Sequence, residues 1–197
     1  MTAPNGPGRP LTDFEQVLLG VIHGEPRSGY GLKKMFNASP ASLYQPSPGA
    51  LYPALRRLAA RGLLRVEDTP NGRRAQRVYS VTEAGHRVHL DWLRQPVAPA
   101  TVGADLGLHL MRFALMENHL PRPAVIAFLE DLENALQNFV TGMERYVASG
   151  AQSGRPHAEL AIGHGIAVHR ASLDWTRSAL AALAQPASKL FLRPSRT

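Results

Sequence analysis

The sequence predicts a mostly α-helical protein in two parts: short helices closed by a β-hairpin at the N-terminal end, and long helices at the C-terminal end. Three observations predict this. Apolar residues recur at three- and four-residue steps along most of the 197 residues, the spacing of helices that bury one face. The period falls to two only on either side of TPNGRRAQ, Thr69 to Gln76, where Asn71-Gly72 gives a hairpin signal. QPVAPAT, Gln95 to Thr101, interrupts both patterns with two prolines and small residues, as a linker does.

The first helix is expected from about Leu11 to His23. Thr12 is its N-cap and Glu15 the capping-box partner. Phe14, Val17, Leu18, Val21 and Ile22 form its apolar stripe, and Gly24 is placed to end it. GEPRSG turns the chain, and Ser28 caps a second helix through Tyr30, Leu32, Lys33, Lys34, Met35 and Phe36. After the Pro- and Ser-rich ASPASLYQPS comes a third helix in SPGALYPALRRLAARGLL, Ser47 to Leu64, with Leu51, Leu55, Leu58 and Ala59 on its buried side. Ser47-Pro48 fits an N-cap followed by Pro at the first position. Pro53 fits better if regular helix begins near Ala50, and the sequence leaves both starts open. Gly62 is the expected C′ residue. Strands follow at Leu63–Asp68 and Arg77–Thr82, joined through a tip at Asn71-Gly72. Thr82 caps a fourth helix, Glu83 to Arg94, carrying Val88, Leu90, Trp92 and Leu93.

Beyond the linker, helices are expected at roughly 102–119, 122–149 and 157–185, separated by Pro121 and Pro123 and then by GAQSGRP. Their apolar stripes need cover from one another and from a second chain, with Leu129, Leu132, Leu136, Leu173 and Leu180 as the expected dimer interface. The predicted division is a mobile tail at 1–10, a first domain at 11–95, a linker at 96–101, an antiparallel helical domain at 102–185 and a tail at 186–197.

The net charge is +7, unevenly spread. Residues 1–95 hold 13 Lys+Arg and 7 Asp+Glu, and residues 96–197 hold 9 and 8. A basic front half suits a polyanion, although charge alone is equally that of an ordinary basic soluble protein. There are no cysteines, which excludes disulfides and cysteine zinc sites and fits a cytoplasmic protein. No run of 18 apolar residues occurs, and the first ten residues lack a signal-peptide core, so neither a membrane span nor secretion is expected. No Ser-His-Asp order, P-loop or dinucleotide fingerprint appears, so no enzyme is expected. His86 and His89, three apart, and His164 and His169, five apart, have no further ligand at metal-site spacing along the chain. No metal or cofactor is expected, and these histidines are read as surface or interface residues.

A helix-turn-helix followed by a hairpin is the plan of a winged helix, whose second helix lies in the DNA major groove while the hairpin follows the backbone. The residues suit that use. Gly49, Tyr52 and Arg56 fall on one face opposite the leucines. Gly49 lets a phosphate approach a helix N-terminus. Tyr52 can donate to phosphate, and Arg56 can reach phosphate or a guanine edge. Arg73, Arg74 and Arg77 surround the glycine turn of the wing. Each of these also has an ordinary reading: Tyr52 as a core-edge residue, the arginines as a solvated face. Arg61 is read as solvated, and Arg57 fits either role.

LTDFEQVLLGVIHGEPRSGYGLKK, SPGALYPALRRLAARGLL and the closing RVYSVTEAGH together resemble the PadR family of bacterial transcriptional regulators. The Ser-x-Gly-x-Leu-Tyr-Pro-x-Leu-x-Arg-Leu pattern is the most specific part. The resemblance covers about residues 11–95, and the rest is similar in plan to that family's long-helical C-terminal domain. It implies a homodimer that reads a pseudo-palindromic operator in double-stranded DNA, with repression as the usual outcome. It also implies DNA-facing roles for Tyr30, Ser47, Gly49, Tyr52, Arg56 and the wing arginines Arg73, Arg74 and Arg77. Leu43-Tyr44-Gln45 stands where many members carry a Trp-rich segment. Some members bind flat aromatic compounds, which makes Trp92 and Trp175 candidate contacts for a small hydrophobic or aromatic effector, beside the plainer reading of each as a packing anchor. Two alternatives stay open: a winged helix used for protein–protein contact without specific DNA binding, and an enzyme with an appended winged helix.

Overall fold

A computed structural model of the protein describes residues 9–38, 49–71, 74–117 and 119–185. Ser47, Arg73 and the Leu43-Tyr44-Gln45 segment lie outside these residues, as does the Arg74 side chain. The chain forms two units. The first comprises the residues up to Gln95 together with Leu110–His119, and the second comprises Pro96–His109 and the residues from Leu120 on.

The first unit is a winged helix-turn-helix. Helix α1 (Asp13–Gly24) starts at its capping box: Thr12 Oγ1 accepts from the Glu15 amide at 3.2 Å, and the Glu15 carboxylate accepts from the Thr12 amide at 2.9 Å. A two-residue strand, β1 (Arg27–Ser28), leads into α2 (Gly29–Ala38), where Ser28 Oγ accepts from the Gly31 amide at 3.0 Å. Helix α3 (Leu51–Ala60) has Ala50 as its N-cap, so Ser47-Pro48 does not open the regular helix. Pro53 thus falls in the first turn, where its missing N–H breaks no intrahelical bond. Gly62 takes φ +68°, and the amides of Gly62 and Leu63 bond back to the carbonyls of Ala59 and Leu58. This is a Schellman ending, which reverses the chain into the hairpin.

Strands β2 (Leu64–Asn71) and β3 (Arg74–Val81) pair antiparallel, and β1 joins the other side of β3 in the order β1-β3-β2. Asn71 pairs with Arg74 at the outer end of the hairpin, and Gly72 of the expected Asn71-Gly72 tip lies outside the described residues. The sheet face is buried at Leu64 and Tyr79 and opens at Val66. Helix α4 (Glu83–Leu93) begins at Thr82, whose Oγ1 accepts from the Gly85 amide at 3.1 Å. The core gathers Val17, Leu18, Leu19 and Ile22 of α1, Leu32 of α2, Leu55 and Leu58 of α3 and Leu93 of α4, each at most 1% exposed. Burying each such side chain contributes about 1.5–3 kcal/mol.

Helix α5 (Leu106–Leu115) departs from the single helix expected over 102–119. Its second half and the following turn belong to the first unit. Arg112 is the reason: it is buried, its guanidinium lies 5.6 Å from the Trp92 ring centroid, and it donates to the carbonyls of Leu93 and Gln95. A residue from beyond the linker thus satisfies carbonyls at the end of α4. Four histidines also meet in this unit. The rings of His23 and His86 stack at 4.3 Å, and His119 sits 4.6 Å from His23. His89 lies beneath, wholly buried, at 5.5 Å from His119. Burial, reinforced by the neighbouring imidazoles, holds His23 and His119 below the usual histidine range and pushes His89 down to about 3.

The second unit is built on α6 (Arg122–Ala148) and α7 (Pro156–Ala184), which run antiparallel: Arg177 meets Glu133 at 2.8 Å and Gln137 at 2.9 Å, and Arg170 meets Glu144. Gly150 and Gly154, both at positive φ, lie in the connection. The leucines expected at a dimer interface are already covered within one chain. Leu129, Leu132 and Leu136 are fully buried, Leu173 is buried, and Leu180 is half-buried. The two stripes satisfy each other, because the chain supplies its own antiparallel partner. In the stretch expected as a linker, Val97 is buried and Pro99–Thr101 forms a 3-10 turn. Among the described residues, no helix is long and apolar enough to cross a membrane.

Candidate nucleic-acid interface

The first unit carries a cleft of about 320 Å³ between the start of α2, the outer face of α3 and strand β3. Helix α3 sets its geometry. Leu51, Leu55 and Leu58 bury one face, and this turns Tyr52 and Arg56 outward at four-residue spacing. Tyr52 is half-exposed, and its ring rests on Gly29: a Cβ at Gly29 would stand 2.7 Å from Tyr52 Cε1. A side chain at position 29 would therefore push the tyrosine out of the cleft. Tyr30 follows directly and is 69% exposed. The pairing of Arg27 with Tyr79 and Ser28 with Val78 ties this corner to the wing. Strand β3 adds Gln76 and Arg77, with buried Tyr79 as the floor.

Two adjacent arginines of α3 have opposite roles. Arg56 is exposed and lines the cleft. Arg57 turns inward, and its Nε meets Glu15 Oε1 at 2.6 Å. Glu15 is 1% exposed. Burial alone would raise its pKa. The bond from the Thr12 amide and the hydrogen bond and charge of Arg57 outweigh this and hold it below the ordinary carboxylate range. Arg57 therefore anchors α3 to the cap of α1. Arg61 donates to the Arg9 carbonyl at 2.9 Å, so it is not merely solvated. Arg77 Nε lies 3.7 Å from Asp68 Oδ1, its register partner on β2, with both groups exposed. An exposed pair of this kind is worth little and is readily exchanged for another anion.

The cleft thus brings together Tyr30, Tyr52, Arg56 and Arg77 of the residues expected to face DNA. Gly49 is exposed in the turn before α3, and a Cβ there would meet nothing within 4 Å among the described residues. Ser28, Gly29, Gln76 and Tyr79 also line the cleft and were not anticipated. Ser28 reads locally as a helix cap, and a two-residue strand leaves no period to detect. Trp92 belongs to the first unit, buried under Arg112, and Trp175 belongs to the second, 38% exposed. The described lining holds two guanidiniums, phenol hydroxyls and an amide, and no carboxylate. Donors so arranged suit phosphate oxygens and base edges.

Residues 18–90 match the model of the transcriptional regulator PadR-like family. Among solved structures, Bacillus subtilis PadR in complex with operator DNA is 18% identical over 87% of this chain and 99% of that one, with a TM-score of 0.43. Bacillus subtilis PadR in complex with p-coumaric acid is 17% identical over 88% and 100%, with a TM-score of 0.41. A PadR-like transcriptional regulator from Bacillus cereus is 20% identical over 86% and 97%, with a TM-score of 0.38. No curated protein matches the chain.

Proposed function

We propose that this protein, whose residues 18–90 match the PadR-like family model, binds a specific double-stranded DNA operator as a homodimer and represses transcription from it. The observation that carries this reading is the cleft on the outward face of α3, where Tyr30, Tyr52, Arg56 and Arg77 converge. In this reading α3 enters the major groove. Tyr52 and Tyr30 donate to phosphates, and Arg56 reaches a phosphate or a guanine edge. Ser47 and Gly49 meet the backbone at the start of α3, and Arg73, Arg74 and Arg77 of the wing follow it onward.

The second unit supplies the dimer contact. On α7, Leu160, Val168 and Trp175 are exposed at steps of eight and seven residues, which places them on one side of the helix. This side, rather than the buried leucines, is the surface offered to a second chain. Two-fold symmetry then asks for half-sites about 34–36 Å apart, or a multiple of this. A small hydrophobic or aromatic effector would find Trp175 accessible and Trp92 covered by Arg112.

The test is footprinting on the gene's own upstream region, followed by gel shifts with Tyr52→Ala and Arg56→Ala and sedimentation of each variant. Loss of the protected site with an intact dimer is expected for both. Full affinity in both variants would remove α3 from the interface. Equally weak binding to every DNA would favour a protein-contact role.

A further inference from the structure

We propose that His23, His86 and His119 form a binding site for one divalent transition-metal ion of the zinc class. The three come from separate elements of the first unit: the end of α1, the first turns of α4 and the turn after α5. One ligand atom from each lies within 4.8 Å of the others. Tetrahedral zinc at about 2.0–2.1 Å from each nitrogen sets its ligands roughly 3.3 Å apart, so the rings need to close by only about 1.5 Å. Side-chain rotation supplies this without moving a helix.

The donor set defines the ion. Three imidazoles with no thiolate suit zinc, copper, nickel or cobalt, and not magnesium or calcium, which take oxygen ligands. Three protein ligands leave a fourth position for water or an exogenous group. The surroundings agree. Nδ1 of His86 is buried with no hydrogen-bond partner among the described residues. Wholly buried His89 floors the cluster, and His23 opens it to solvent. Exposed Glu83, one turn before His86, acts electrostatically on His23 and favours a cation at the entrance.

The consequence is mechanical. The site joins α1 and α4 of the winged helix to the segment that returns from beyond the linker. An ion would hold the 110–119 segment in place, adding to the Arg112 contacts.

The experiment is calorimetric titration of Zn²⁺ into untagged, metal-free full-length protein, with Co²⁺ absorption as a second probe. One Zn²⁺ per chain is expected, with a rise in thermal midpoint and cobalt bands typical of tetrahedral nitrogen and oxygen ligation. His23→Gln and His119→Gln should each weaken binding by more than about 100-fold, since even supporting outer-shell partners are worth about 10–100-fold. His164→Gln, an exposed histidine of α7, should leave it unchanged. Absence of Zn²⁺ binding would overturn the proposal. So would unchanged affinity in His23→Gln and His119→Gln, or equal loss in His164→Gln. If a variant fails to fold, the cobalt spectrum of the unmodified protein decides, and octahedral bands would overturn the site.

Discussion

Arg56→Ala and Arg57→Ala, one residue apart on α3, should fail in different ways. Arg57 lies 2.6 Å from a carboxylate that is 1% exposed. Removing it leaves Glu15 buried with the Thr12 amide at 2.9 Å and Arg9 at 3.5 Å as its remaining partners. A buried pair broken from one side typically loses about 3–5 kcal/mol. Arg57 is itself 31% exposed, and Glu15 keeps a strong amide bond, so about 1.5–3 kcal/mol is expected. Arg56 is exposed, and its removal should change stability by less than about 0.5 kcal/mol. On DNA the order reverses. If Arg56 neutralises one phosphate, Arg56→Ala should lower the slope of log affinity against log salt by about 0.9. Arg57→Ala should leave that slope unchanged in conditions where the protein is folded. The assays are urea unfolding and fluorescence-anisotropy binding across a salt series. Equal loss of slope in both variants, or a destabilised Arg56→Ala, would refute the division of labour between the two side chains.

Two further outcomes test the scaffold. Gly85→Ala should destabilise the first unit by about 2–3 kcal/mol in chemical denaturation, because its Cβ would lie 2.2 Å from the Leu63 carbonyl oxygen, which the Thr82 amide holds at 3.1 Å. Wild-type stability would show that α4 slides freely over the start of β2. Acid should also loosen the α1–α3 anchor. Glu15 has a depressed pKa in the fold, so its contribution is full above the ordinary value of 4.5 and is lost as pH falls from there through the lower folded value. Unfolding midpoints at about pH 6 and about pH 3.5 should differ less in Glu15→Gln than in the unmodified protein, and an unchanged difference would remove Glu15 from the acid response.

Short-range chemistry was legible in the sequence. Thr12 with Glu15, Thr82 before Glu83, Ser28 before α2 and Gly62 after α3 each act within a few residues, so their types and spacing sufficed to place four helices. The alternating runs around Asn71-Gly72 placed the hairpin. The outward position of Tyr52 and Arg56 followed from the leucines opposite them.

What the sequence by itself determined is therefore the order of elements and which face of each is apolar, because helix caps, turns and periodicity are local. Tertiary structure alone decided which elements share a face. It sent Arg57 inward to a carboxylate 42 residues away and left Arg56 outside. It returned Leu110–His119 to the first unit through Arg112 and Trp92. It covered Leu129, Leu132 and Leu136 with α7 of the same chain, while Leu160, Val168 and Trp175 of α7 stay exposed. It also gathered His23, His86 and His119, whose separation along the chain carries no metal-site spacing. Each depends on contacts between distant segments, and these are set by how the buried faces pack.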